Sequence, residues 1–304
     1  MNSEGLPEPT WAAGEPVSER GALDAVDAAK VARATQSVRL GKVVGLSHPL
    51  DYPPVPPGGR SRLRRTAWQR NELRELGAGR YVVQNDDTVE FALQGSSHWD
   101  TFAHCGLIEP TREGVFYGGH GLAETADGAS PLLGIDRLLP GIVTRGVLID
   151  AVEPYARSGE PYLASDLRIS AEMIAHCLEQ QGVSLEAGDV ACIFTGFEAR
   201  LRELGDQPLP REIAGLSSDT LSLWASHKVA ALVSDNTAVE ASPVDFGIHI
   251  GALRNLGILL GELWALEEAA RMCRQLGVYE FLVVSVPLRI SGAFGSPANA
   301  VAVF

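Results

Sequence analysis

The sequence predicts an α/β protein. Strand-like apolar runs at 141–150, 190–194, 229–233 and 279–288 alternate with helical spacing near 170–181, 218–226 and 263–276; that interleaving is the mark of sheet strands joined by helices. With 304 residues, 45% of them apolar, the chain can bury a substantial core. One large domain is favoured, residues 41–304, preceded by an N-terminal arm and helix over 1–40.

The elements follow in order. Residues 1–17 are rich in Pro, Gly and Glu and read as a mobile arm or a packing tail. Over 18–38 the apolar residues Leu23, Val26, Ala29 and Val31 have helical spacing, and 43–46 reads as a buried strand. Pro53, Pro54, Pro56, Pro57, Gly58 and Gly59 then impose a loop. The basic run 60–70 is expected to continue as a surface segment or lid. Residues 81–83 and 88–93 read as paired strands, with Asn85-Asp86-Asp87 as their turn. No internal repeat is seen.

Charge and cysteine use narrow the function classes. A net charge of −13 argues against a general nucleic-acid or anionic-membrane binder, since such partners need a basic footprint. The longest apolar stretches fall short of the roughly 20 residues a membrane helix requires. The opening Met1-Asn2-Ser3-Glu4-Gly5 has neither the basic start nor the apolar block of a secretory signal. The four cysteines are scattered without a C-x-x-C pair, which fits reduced thiols. The expected location is cytoplasmic.

One segment concentrates chemistry. Gln94, His98, Asp100 and His104 follow one another at spacings of four, two and four, so in an extended or looping segment all four can share a side. Imidazole and carboxylate suit Zn²⁺ or Mn²⁺. Read alone, the same pattern also fits a polar loop. Trp99 and Phe102, set among these positions, are candidates for an aromatic substrate pocket or for core packing behind it.

This stretch resembles the H-x-G-T-H-x-D-x-P-x-H signature of the cyclase superfamily, the group containing kynurenine formamidase and isatin hydrolase. Two departures are visible: Gln94 stands in place of the first His, and Phe102 in place of Pro. A branch similar to trans-dienelactone hydrolase carries Gln at the first position. Further stretches carry the likeness, among them Phe116-Tyr117-Gly118-Gly119, the run 144–150 (TRGVLID), Gly188-Asp189-Val190, the run 234–240 (SDNTAVE) and the run 295–300 (GSPANA). His249 and Glu262, 13 residues apart, resemble the His and Glu that complete the family's site.

The resemblance implies a swivelling β/β/α fold with a mixed sheet and flanking helices. It implies metal ligation by Gln94, His98 and Asp100, with His249 and Glu262 nearby for a second ion or for positioning water. His104 becomes the catalytic acid/base, and Glu262 joins it as a catalytic candidate. The implied cofactor is one or two divalent ions, Mn²⁺ or Zn²⁺, and replacing an imidazole by the Gln94 amide favours Mn²⁺ relatively. The implied activity is hydrolysis of an amide, lactam, lactone or ester bond in a small-molecule substrate. Ring closure in natural-product biosynthesis and a non-catalytic binding role remain open beside it. A homodimer or homotetramer is the expected assembly.

Overall fold

The computed structural model describes residues 5–12, 14, 17–110 and 113–304; parts of the expected N-terminal arm, residues 1–4, 13, 15 and 16, lie outside them. The strands are β1 (Val43–Gly45), β2 (Arg64–Gly77), β3 (Arg80–Glu90), β4 (His98–Asp100), β5 (Ile142–Asp150), β6 (Arg168–Ile169), β7 (Val190–Phe194), β8 (Gly215–Leu216), β9 (Ala231–Ser234), β10 (Leu259–Glu262), β11 (Glu280–Ser285), β12 (Gly295–Pro297) and β13 (Ala300–Val303). The helices are α1 (Ala28–Ala34), α2 (Val152–Tyr155), α3 (Ala171–Gln181), α4 (Phe197–Leu204), α5 (Leu221–His227), α6 (Gly247–His249) and α7 (Glu267–Leu276). A π-helix, Ile250–Leu256, continues α6 directly.

Among the described residues nine strands form one mixed sheet in the order β1-β13-β11-β5-β7-β9-β10-β4-β12. Its centre, β5-β7-β9-β10, is parallel, and both flanks are antiparallel. Of these parallel strands β7, β9 and β10 are wholly buried and largely apolar, as expected where both faces of a sheet are covered. One large core cluster joins Trp99, Trp224, Trp264 and Phe281 to these strands.

The first helix is anchored by charge as well as packing. Lys30 of α1 is only 1% exposed, and its ammonium donates to Asp189 Oδ1 at 2.6 Å and to Glu186 Oε2 at 3.2 Å. The same Asp189 carboxylate takes two hydrogen bonds from Arg145 of β5, at 3.0 and 2.7 Å. A buried cation therefore has its counter-charge on the turn that enters β7.

Several sequence expectations meet the structure closely: β5, β7 and α3 fall within a residue of their expected spans. Others are corrected. The expected helix over 18–38 is broken, because Asp27 caps a fresh start by accepting from Lys30 N–H, and only Ala28–Ala34 is α-helical. The expected turn at Asn85-Asp86-Asp87 is instead mid-strand: β3 runs unbroken and pairs with β2. The reversal lies at Gly77, Ala78 and Gly79, all at positive φ. Polar residues are tolerated inside β3 because the hairpin is exposed along its length, so neither face selects against them. The basic run 60–70 runs into this hairpin and supplies the first half of β2.

Glu198, in the first turn of α4, is largely buried, and burial, then Glu267 and Asp235, push its carboxyl from the ordinary 4.5 up to about 7. Between those values the folded chain binds more protons than the unfolded one, so this group's contribution to stability falls as pH rises through the window. Glu198→Gln is expected to stabilise the protein by about 1–3 kcal/mol at pH 8 and to have little effect at pH 5. Thermal melts of both proteins across that range check it, and equal shifts at both pH values would refute the assignment.

Candidate metal centre

Strand β4 presents His98 and Asp100 to one side because alternate residues of a strand share a face. Glu262 stands opposite His98 on the neighbouring β10, and directly paired residues project together. His98 Nε2 consequently lies 3.4 Å from Glu262 Oε2 and 3.5 Å from Asp100 Oδ1. The chain then turns, with His104 N–H donating to Thr101 O at 3.0 Å, which brings His104 Nδ1 to 3.5 Å from Asp100 Oδ1. From another direction α6 delivers His249, whose Nε2 is 3.2 Å from Glu262 Oε1.

Outer contacts orient these rings. His98 Nδ1–H donates to Ser96 O at 2.7 Å, and His249 Nδ1–H donates to the Glu240 carboxylate. With the proton held at Nδ1 in each case, both Nε2 atoms face the cluster, the arrangement that prepares a histidine to ligate. The immediate succession of α6 by a π-helix fixes where His249 projects, and π geometry is frequent at functional sites. Arg254 of that π-helix donates to Gly114 O, Val115 O and Glu109, holding the segment beyond His104 against it.

Charge in the cluster is strongly mutual. Burial alone would lower the pKa of His98, but Asp100 and then Glu262 carry it up to about 10. His249 is likewise raised well above its ordinary value by Glu240 and Glu262 against the effect of burial. Glu262, for all its burial, is pulled well below the carboxylate range by His249 and His98.

The donor set fits a divalent cation. His98 Nε2, both Asp100 carboxylate oxygens and Glu262 Oε1 are buried without a hydrogen-bond partner, a costly condition for carboxylates in a protein interior. Ligand atoms about 2.1 Å from a tetrahedral ion stand roughly 3.4 Å apart, which matches the 3.2–3.5 Å separations seen here. Two triads meet the spacing a metal needs, His98-Asp100-Glu262 and Asp100-His104-His249.

Gln94 stands against the β12 strand that pairs with β4. Gly295 pairs with Asp100 across β12 and β4, and a Cβ on Gly295 would stand 2.5 Å from the Gln94 amide nitrogen. The glycine thus clears space for that amide on the Asp100 side of the strand pair. Of the two roles open to Trp99 and Phe102, pocket lining and core packing, both residues take core packing. Trp99 is fully buried, its indole N–H donating to Ser285 Oγ at 2.8 Å, and Phe102 packs at a tilt against Tyr117 with ring centres 4.8 Å apart.

Two residues of the site carried no assignment from sequence. Glu240 ends the 234–240 stretch, and its role appears only when folding brings it to His249. Phe246 is exposed, packs edge-on to His249 with ring centres 5.8 Å apart, and adopts φ +63°, a strained conformation for a bulky residue. No sequence pattern announces it.

Comparisons with known proteins bear on the family and the fold. The Cyclase family model, described as "Putative cyclase", matches residues 44–241. A crystal structure of a novel cyclase is similar over 98% of this chain and 100% of its own, with TM-score 0.83 and 28% identity. Isatin hydrolase A from Ralstonia solanacearum shares the fold over 92% of this chain and 96% of its own, TM-score 0.60 and 18% identity. Isatin hydrolase A from Labrenzia aggregata, bound to benzyl benzoate, does so over 88% and 94%, TM-score 0.59 and 17% identity. No curated protein matches the sequence. No helix among the described residues is long and apolar enough to cross a membrane.

Proposed function

The chain belongs to the cyclase family, and from that premise we propose that it is a metal-dependent hydrolase of amide, lactam, lactone or ester bonds in small cyclic or aromatic substrates. The observation that carries the reading is the set of unpartnered buried atoms on His98, Asp100 and Glu262, with a part-exposed imidazole, His104, beside them.

His98, Asp100 and Glu262 would hold the ion, Mn²⁺ or Zn²⁺, with His249 next to Glu262 and the Gln94 amide at the margin. When bound, the ion supplies Lewis acidity, lowering the pKa of water from about 15.7 toward about 7 and polarising a substrate carbonyl. His104 is 24% exposed by side chain, against 0% for His98 and Asp100, so it is the member that meets substrate. Its Nδ1 faces Asp100, leaving Nε2 to take a proton from the attacking water and to return it to the departing nitrogen or oxygen. Glu240 holds His249 in one tautomer throughout.

Chelation followed by assay on N-formyl anilides, aryl lactams, lactones and aryl esters tests the proposal. Activity is expected to disappear on chelation and to return with Mn²⁺ or Zn²⁺. Hydrolysis that persists in protein shown to be metal-free by elemental analysis would overturn it.

Phe246 is the residue placed to receive an aromatic ring. Phe246→Ala is expected to raise KM for aromatic substrates by about tenfold with kcat little changed, the effect of roughly 1.4 kcal/mol of lost apolar contact. An unchanged KM would remove Phe246 from the substrate's path.

A further inference from the structure

Residues 6–12 and 17–22 close the end of the π-helix that follows His249. Gly257 N–H and Ile258 N–H both donate to Ala252 O, and there the local pattern of the helix ends. Carbonyls past that point belong to a helix C-terminus, where intrahelical donors run out. The N-terminal segment supplies donors in their place. The Trp11 indole N–H donates to Arg254 O at 3.2 Å, Thr10 N–H to Asn255 O at 2.8 Å and Ala22 N–H to Gly257 O at 2.7 Å. In return the buried Asn255 donates its amide N–H to Pro7 O at 2.8 Å.

These contacts are closer than those of a tail resting on a surface. Gly21, at φ +56°, approaches so near that a Cβ there would stand 2.3 Å from Gly257 O and 2.6 Å from Phe102 Cζ. A Cβ on Gly257 would stand 2.6 Å from the Tyr117 ring, and Tyr117 packs against Phe102, which lies between Asp100 and His104 in the chain. Trp11 spans the same two parts. The Arg254 guanidinium lies 5.3 Å from the centre of its ring, and a Cβ on Gly119 would meet that ring at 3.5 Å. One segment therefore touches both halves of the candidate site: the stretch that carries His104 and the helix that follows His249.

The π geometry makes the cap matter. Such helices are rare, and their i→i+5 bonding competes with the ordinary α register. All of Ile250–Leu256 except Leu256 is buried, so its packing tolerates one register, but its open end is held by the N-terminal segment. Because α6 runs into this helix without a break, a change of register turns His249 about the helix axis and away from Glu262.

We propose that Trp11 is a positioning residue: together with Thr10 it caps the π-helix and so keeps His249 aimed at Glu262. Its effect on rate rests on the hydrolase reading above; its effect on the helix does not.

Hydrogen exchange of the metal-free protein tests the cap directly. In Trp11→Ala the amides of 250–258 are expected to exchange about tenfold faster or more, while those of β7 and β9 keep the parent's protection. Exchange of 250–258 at the parent's rate overturns the proposal. In the metal-loaded protein, well below the melting temperature, kcat is expected to fall by about 10- to 100-fold with KM little changed, the scale of a small misplacement at the reacting centre. A merely structural role would lower Tm and leave kcat at that temperature unchanged, and that result also overturns it. If the parent hydrolyses no ester, lactone, lactam or anilide, the hydrolase reading fails by itself, and the His249 Nδ1–H proton resonance replaces kcat. Assigned as the signal lost in His249→Gln, it is expected to move in Trp11→Ala, and an unmoved resonance overturns the proposal. Should Trp11→Ala fail to fold, Trp11→Phe keeps a ring against Arg254 and loses the indole N–H: faster exchange confined to 250–258 supports the cap, and the parent's rate overturns it.

Discussion

Asp100→Ala is expected to strip the metal from the protein and to lower kcat/KM by about 10³-fold or more. Asp100 contributes to both triads, contacts both His98 and His104, and has neither oxygen otherwise engaged. Its removal deletes the shared member of the donor set rather than one of several equivalents. His104→Asn should separate catalysis from binding. With a part-exposed ring and no place in the His98-Asp100-Glu262 triad, His104 can be lost while those three remain, so activity is expected to fall by about 10²–10⁴-fold with metal content retained. Elemental analysis beside kinetics distinguishes the two variants. Loss of metal from His104→Asn would recast that residue as a ligand.

Asp189→Ala is expected to destabilise the fold by about 3–5 kcal/mol, the scale for leaving a buried charge uncompensated. The carboxylate is wholly buried, as is Lys30, which it pairs, and it also receives Arg145 and the Glu186 backbone N–H. With Asp189 gone, Lys30 keeps only Glu186, whose side chain is half exposed. For a chain of this size the loss corresponds to a fall in Tm of roughly 5–8 °C. A drop of only a degree or two in a calorimetric scan would show that Glu186 suffices. The double variant Asp189→Ala, Lys30→Met should recover much of the loss, because the buried cation goes too.

The parallel strands were legible because their burial on both faces leaves nearly unbroken apolar runs, and β5 and β7 fall where those runs lie. The hairpin was misread for the opposite reason. Its strands meet no core in the single chain, so alternation is weak and Asn85-Asp86-Asp87 imitates a turn. In the site, spacing brought out His98, Asp100 and His104, and family likeness added His249 and Glu262. Glu240 and Phe246 stayed hidden because their roles depend on the positive-φ turn at Phe246 and the π-helix after His249, neither of which has a local signature. Trp99, open in sequence to either a pocket or a core role, is turned by strand alternation away from His98 and Asp100 and toward Ser285 in the core.

Strand β4 is only three residues long, and both strands that flank it, β10 and β12, come from far later in the chain. His98 and Asp100 therefore leave the ribosome long before Glu262 and Gly295 exist to hold them. Such long-range pairing forms late in folding, so a nascent chain presents the first half of the centre as a loose, weak chelator. The donor set is therefore complete only once the last sheet edge has closed.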